Sequence, residues 1–309
     1  MVADSQPVAG ERTDLLETER IDERYRRLDA IPTLDALRAM NEAEAGVPLA
    51  VRAVLPQVAA VVEAVAARME SGGRLIYLGA GTSGRLGVVD ASECPPTFHT
   101  DPGQVLGVIA GGRGAMFESV EGAEDSAELG AEEIAGLRVT AADTVVGIAA
   151  SGRTPYVLGG VRAARAAGAL TVGLACNSAS ELGSAVDLPI EIEVGPEVLA
   201  GSTRLKAGSA TKQVLNMIST GVMIRLGKTY GNLMVDLSVS NVKLRERAER
   251  LVATITGANP RAAAQALTDS GQRVPVAAIM VARGLDRAAA EGLLAEAGGR
   301  LGGVLDAQA

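Results

Sequence analysis

The chain has no tryptophan, two phenylalanines, one histidine and two cysteines among 309 residues. Each shortage removes a class of function. A single imidazole, His99, cannot build a site of two or more histidine ligands, and Cys94 and Cys176 do not have zinc-ligand spacing. A protein-built transition-metal site is not expected. With 2% aromatic residues and a formal net charge of −8, the chain lacks both the stacking platforms and the basic stripe used to hold nucleic acid. Long apolar runs are also missing: segments 54–67 and 274–282 are interrupted by Pro or Glu, or stop well short of the ~20 residues that span a bilayer. No membrane span is expected. The first fifteen residues lack the basic start, apolar run and cleavage site of a secretory signal, so the expected compartment is the cytoplasm. There the two cysteines read as small buried apolar residues rather than as a disulfide.

What the chain does have is a regular succession of short apolar runs, at 75–78, 105–110, 144–149, 170–175 and 188–194. Most are nearly continuous rather than alternating, as in parallel strands covered on both faces. Helical patterns separate them, at 83–92, 113–122, 126–137 and 156–167. The expected fold is α/β: a doubly wound, mostly parallel five-stranded sheet flanked by helices. A polar arm (1–32) precedes it and reads as loose. One helix is expected over 47–69, with Pro48 in its first turn. Two longer helical stretches, 203–226 and 232–255, complete a domain spanning 33–256. Gly257-Ala258-Asn259-Pro260 then punctuates the chain before a small helical domain at 257–309.

Gly79-Ala80-Gly81-Thr82-Ser83-Gly84 satisfies the dinucleotide pattern G-x-G-x-x-G after a strand. The rest of that site is missing, because the next strand runs into Gly111-Gly112-Arg113 instead of ending at a ribose-binding acid. No P-loop pattern occurs either. What remains is a strand, a tight turn and two hydroxyls at a helix N-terminus, where free N–H groups and the helix dipole favour an anion. Ser and Thr serve equally well as plain helix caps, so one loop leaves both readings open. The arrangement recurs at Ser151-Gly152-Arg153-Thr154, with Pro155 suited to the first helical position and Thr154 to the cap. It recurs again at Gly201-Ser202-Thr203-Arg204-Leu205-Lys206, where cations are added. Loops at the carboxyl ends of parallel strands gather at one crevice, so a phosphorylated small molecule such as a sugar phosphate is the expected partner. The candidate binding residues are Gly81, Thr82, Ser83, Arg85, Ser151, Gly152, Arg153, Thr154, Ser202, Thr203 and Lys206.

Glu93 precedes Cys94-Pro95-Pro96, a sequence expected to stop the helix. A carboxylate at a helix C-terminus opposes the dipole, which makes it a poor structural choice, although an ordinary surface glutamate fits the same position. A second acidic cluster, Glu121-Gly122-Ala123-Glu124-Asp125, follows the second strand. If both reached one crevice, two carboxylates could divide acid and base work on a bound sugar.

At this point the segments YLGAGTSGRLGVVDASECPPTF, EGAEDS, VVGIAASGRTPYV, GSTRLKAGSATKQVLNM and YGNLMVD together resemble the N-acetylmuramic acid 6-phosphate etherases of the sugar isomerase (SIS) fold superfamily. The likeness covers about residues 33–256, and the ASECPP and EGAEDS pair is specific to those etherases and to the related glucokinase regulatory proteins. It implies a lyase that removes D-lactate from the sugar's C3 ether in cell-wall sugar recycling. By the same likeness Glu93 matches the family's general acid and Glu124 its second acid/base, no metal or redox cofactor is needed, and the protein is a homodimer with the site near the subunit interface. One departure is local: the family often carries an Asn after its N-terminal Thr-Glu, whereas Thr18-Glu19-Arg20 is followed by Ile21-Asp22. His99 reads as a surface or packing residue. Two other functions fit the bare motifs. An aldose–ketose isomerase would also move a C2 proton but release no lactate, and a sugar-phosphate sensor would leave its ligand intact; the sensors resembled are much longer, with a duplicated sugar-binding domain.

Overall fold

Strands β1 (Leu75–Gly79), β2 (Val105–Ile109), β3 (Thr144–Ile148), β4 (Leu170–Ala175) and β5 (Leu188–Glu191) form one sheet in the order β2-β1-β3-β4-β5, every pair parallel. This is the architecture expected from the apolar runs. The computed structural model describes residues 16–118, 120–239 and 241–307. The segment without signal-peptide features lies outside these. Side chains of β1 alternate between two cores, because successive residues of a strand point to opposite faces. Leu75 and Tyr77 pack with helices α3 (Leu55–Glu70), α4 (Gly81–Phe98) and α8 (Lys206–Arg225). Ile76 and Leu78 pack on the other face with α5 (Ala127–Gly136), α6 (Pro155–Ala166) and α7 (Glu181–Ala185). β1, β3 and β4 are buried throughout, whereas β2 lies at the edge and its three middle residues are only half-buried.

Several elements differ from the sequence expectation. α4 does not stop at Cys94 but continues through Pro95 and Pro96 to Phe98, and His99, left-handed at φ 51°, ends it. Proline's fixed φ is itself helical, so the cost is two backbone hydrogen bonds. Buried Cys94 and Phe98 hold the last turns against the core. The stretch 47–69 is two helices, α2 (Val47–Ala53) and α3, broken at Val54 with Pro56 in the first turn of the second. Among the described residues of 113–122 there is only one 3₁₀ turn, Arg113–Met116. Residues 232–255 begin with a strand, Leu233–Met234, paired to Thr229–Tyr230, and the helix α9 (Val242–Thr256) starts later.

α9 shares a third core with α10 (Pro260–Asp269), α11 (Val274–Arg283), α12 (Arg287–Glu296) and α13 (Leu301–Leu305). That core also takes in Val235 and Leu237, so it begins ahead of the break at residue 257. The arm is not loose where described: 3₁₀ turns at Glu17–Glu19, Glu23–Tyr25 and Leu28–Ala30 lead into α1 (Thr33–Glu44), and Thr18 is fully buried. Among the described residues no single helix is long and apolar enough to cross a membrane. Cys94 and Cys176 are free and buried, the role expected of them.

Candidate active site

β1 and β3 are neighbours, with Gly79 opposite Ile148, and the chain leaves them toward opposite edges of the sheet. Open α/β sheets bind ligands in the crevice beyond the strand ends at such a reversal. Two of the hydroxyl loops lie there side by side. In the first, Ala80 is the N-cap of α4, Gly81 takes φ 52°, and Thr82 and Ser83 are half-buried within the first turn. Neither hydroxyl is the cap residue, so the plain capping explanation does not account for them. In the second, Gly152 takes φ 70° and Thr154 is the N-cap before Pro155, as expected, but its side chain makes no capping bond. Ser151 Oγ accepts from the Arg153 N–H at 3.2 Å.

The third loop approaches through α8. A Cβ placed on Gly208 would lie 3.8 Å from Thr82 Cγ2, so the first turn of α8 abuts the first loop. The helix starts at Lys206 and not at Thr203, because its first N–H groups are taken by a side chain from outside: the Glu197 carboxylate accepts from Lys206 N and Ala207 N, both at 3.0 Å. Burial raises the Glu197 carboxyl despite those two donors. Ser202 and Thr203 are half-buried, and Lys206 turns inward, donating from Nζ to the Val194 carbonyl at 2.6 Å.

The two glutamates part company. Glu124 follows Gly122, which takes φ 74°, and shares a cavity of about 220 Å³ with Gly81, Arg85, Ala110 and Glu121. Arg85 is steadied there by its Nε bond to the Met116 carbonyl at 3.2 Å. Glu93 is elsewhere. α4 runs back along the sheet: a Cβ on Gly84 would touch Gly79 at the strand's end, one on Gly87 would touch Tyr77, and one on Gly107 would touch Val88. Glu93 is twelve residues beyond Gly81, ~18 Å along the axis, at the amino-terminal edge of the sheet. The sequence left open whether the two acids meet, and within one chain α4 separates them. The physical reason is that a helix crossing back under a parallel strand carries its far end to the opposite edge.

Sequence reasoning passed over Asn177 and named Thr18 only for the arm's departure from the family. Asn177, just after β4, is buried against Thr18 of the arm: Thr18 N donates to Asn177 Oδ1 at 3.4 Å, and Asn177 Nδ2 donates to Thr18 Oγ1 at 3.1 Å. The same Nδ2 donates to the Ala150 carbonyl at 2.9 Å, next to Ser151. A polar residue at the carboxyl end of a strand was the available signal.

Comparison with known proteins bears on the family and the fold. The family described as the glucokinase regulatory protein N-terminal SIS domain matches residues 57–165. The chain is 57% identical over 294 residues to an N-acetylmuramic acid 6-phosphate etherase from Streptomyces avermitilis, covering 95% of this chain and 94% of that one. It is 58% identical over 280 residues to one from Rubrobacter xylanophilus, covering 90% and 93%. In three dimensions it resembles a phosphoheptose isomerase from Francisella tularensis, with TM-score 0.51, 16% identity, and 63% and 100% of the two chains covered. That likeness concerns the fold alone.

Proposed function

The chain belongs to the N-acetylmuramic acid 6-phosphate etherase family, and from that premise we propose that two copies of it assemble each site of a lyase cleaving the D-lactyl ether of that sugar phosphate. The Gly81–Ser83 and Ser151–Thr154 loops hold the phosphate, with Ser202, Thr203 and Lys206 beside them. In the open-chain sugar the C1 aldehyde acidifies the C2 proton, and Glu124 of the same chain removes it. The C3–O bond then breaks, its electron pair leaves with the lactyl oxygen, and protonated Glu93 donates the proton that completes lactate. Water adds at C3 of the unsaturated aldehyde and a proton returns to C2, which leaves N-acetylglucosamine 6-phosphate.

The observation that carries the two-copy site is the separation of Glu93 from Glu124 along α4. Its face supports the same reading, since Val89, one turn before Glu93 on that face, is an aliphatic residue 51% exposed. A partner covering Val89 would take Glu93 into its own crevice. An isomerase or a sensor has no departing ether oxygen for this acid to protonate. A cytoplasmic setting agrees with the two free thiols.

Subunit mixing tests it. Glu93→Gln and Glu124→Gln homodimers are each expected to lose D-lactate release while still binding N-acetylglucosamine 6-phosphate. Dissociated and re-paired in equal amounts, they should regain about a quarter of the wild-type rate, because half the dimers then hold one intact site of two. No recovery would assign both acids to one chain.

A further inference from the structure

The buried pair Thr18 and Asn177 joins segments 159 residues apart, and it ends on the peptide that begins the second hydroxyl loop. The Ala150 carbonyl accepts twice, from Cys176 N at 2.9 Å and from Asn177 Nδ2 at 2.9 Å. Both donors lie on the β4 side of β3. In a trans peptide the carbonyl and the following N–H point in opposite directions. Holding the Ala150 carbonyl toward β4 therefore directs the Ser151 N–H toward β1, the side on which Gly81, Thr82 and Ser83 lie. The hydrogens of Asn177 Nδ2 are both committed, one to Ala150 and one to Thr18, so the Thr18 hydroxyl fixes the rotation of the amide that fixes the peptide. Thr18 is 0% and Asn177 3% exposed, so water does not compete for these bonds. One residue on, Glu19 Oε2 lies 3.3 Å from the position a Cβ on Gly201 would take, so the same short arm also touches the third loop.

We propose that Thr18 is a positioning residue for substrate binding: through Asn177 it aims the Ser151 amide at the phosphate, making the N-terminal arm a working part of the site. The proposal rests on the assignment of the Ser151 loop to phosphate. It adds a residue from outside the sheet domain, at the place where the arm lacks the Asn that the family often carries after its Thr-Glu.

The phosphate lies away from the bonds that change, so its contacts are the same in ground and transition states. Their loss raises KM and leaves kcat in place. Thr18→Val keeps the shape and removes the hydroxyl. It is expected to raise KM for N-acetylmuramic acid 6-phosphate about tenfold, with kcat within about twofold of wild type. The Ki of inorganic phosphate and the calorimetric Kd of N-acetylglucosamine 6-phosphate should rise by the same factor, and Thr18→Ser should restore all three. Should Thr18→Val fail to fold, Thr18→Ala removes the same hydroxyl with less bulk and gives the same readouts. Unchanged constants in a folded variant, or a fall in kcat alone, would overturn the proposal. Lactate release by the wild type tests the reaction and the Kd comparison tests the arm, so the two readings fail separately.

Discussion

Asp143 is the residue on which one end of the sheet is hung. Its carboxylate accepts from Arg74 N, Nε and Nη2 and from Thr140 N at 2.8–3.0 Å, tying the entry of β1 to the turn before β3. Burial pushes its carboxyl up, but the Arg74 side chain and the two backbone N–H groups outweigh this and hold it at about 2. A carboxyl depressed in the folded state adds stability that is present above its unfolded pKa and is lost as pH falls from ~4 toward ~2. Asp143→Asn is expected to cost about 3 kcal/mol at neutral pH and to flatten the acid limb over that window, checked by urea unfolding across pH. The two thiols run the other way, since burial pushes Cys94 and Cys176 each up to about 12 and leaves them protonated and unreactive at neutral pH. At this scale the hydroxyl loops were legible, because Gly81, Ser151 and Thr154 obey local rules of turn and helix start. The Thr18–Asn177 pair was not, since nothing in the spacing of two residues 159 apart makes them meet.

Among the elements, α4 and α5 determine where the two acids sit. α4 is held to α8 by Asp90, whose Oδ1 accepts from Asn216 Nδ2 at 2.6 Å and Ser219 Oγ at 3.1 Å, one turn before Glu93. α5 begins just after Glu124, capped by Ser126 Oγ at the Leu129 N–H, and lies so close to α6 that a Cβ on Gly159 would sit 1.9 Å from the Ala127 carbonyl. Only glycine permits that approach, and Ala127 is three residues from Glu124. Gly159→Ala should therefore force α5 outward, lowering stability by ~2 kcal/mol or more and lactate release along with it, as read from thermal melts and rate assays. Stability lost without loss of rate would mean that the Glu124 turn is positioned independently of α5. Most strands and helices were readable from periodicity and caps. The double proline in α4 misled because proline's reputation as a breaker rests on its missing N–H and its clash with the preceding turn, and a tertiary contact at Phe98 can offset both.

For the whole molecule, the question is what covers α1. None of its residues is buried, yet Leu34 and Leu37 are 58% and 56% exposed and Met40 lies on the same side at helical spacing. Val89 on α4 and Ile224 on α8 are exposed as well. We expect these faces to meet their counterparts in a second copy, which would bring Glu93 to the neighbouring crevice. The double variant Leu34→Glu with Leu37→Glu is then expected to sediment as a monomer and to lose at least about tenfold in lactate release, while its circular dichroism stays native. A fully active dimer would exclude α1 from the interface.

Taken by itself, the sequence determined the strand sequence, the three hydroxyl loops, the absence of a nucleotide motif and, through resemblance, the reaction. These follow from local chemistry: what a turn, a cap or a buried strand requires of its own few residues. Tertiary structure alone decided that Glu124 joins the first hydroxyl loop while Glu93 leaves it, that Glu197 occupies the start of α8, and that the arm reaches the Ser151 peptide. The reason is geometric. A helix returning along a sheet places its two ends at opposite edges, and only the assembled sheet shows which residues those edges bring together.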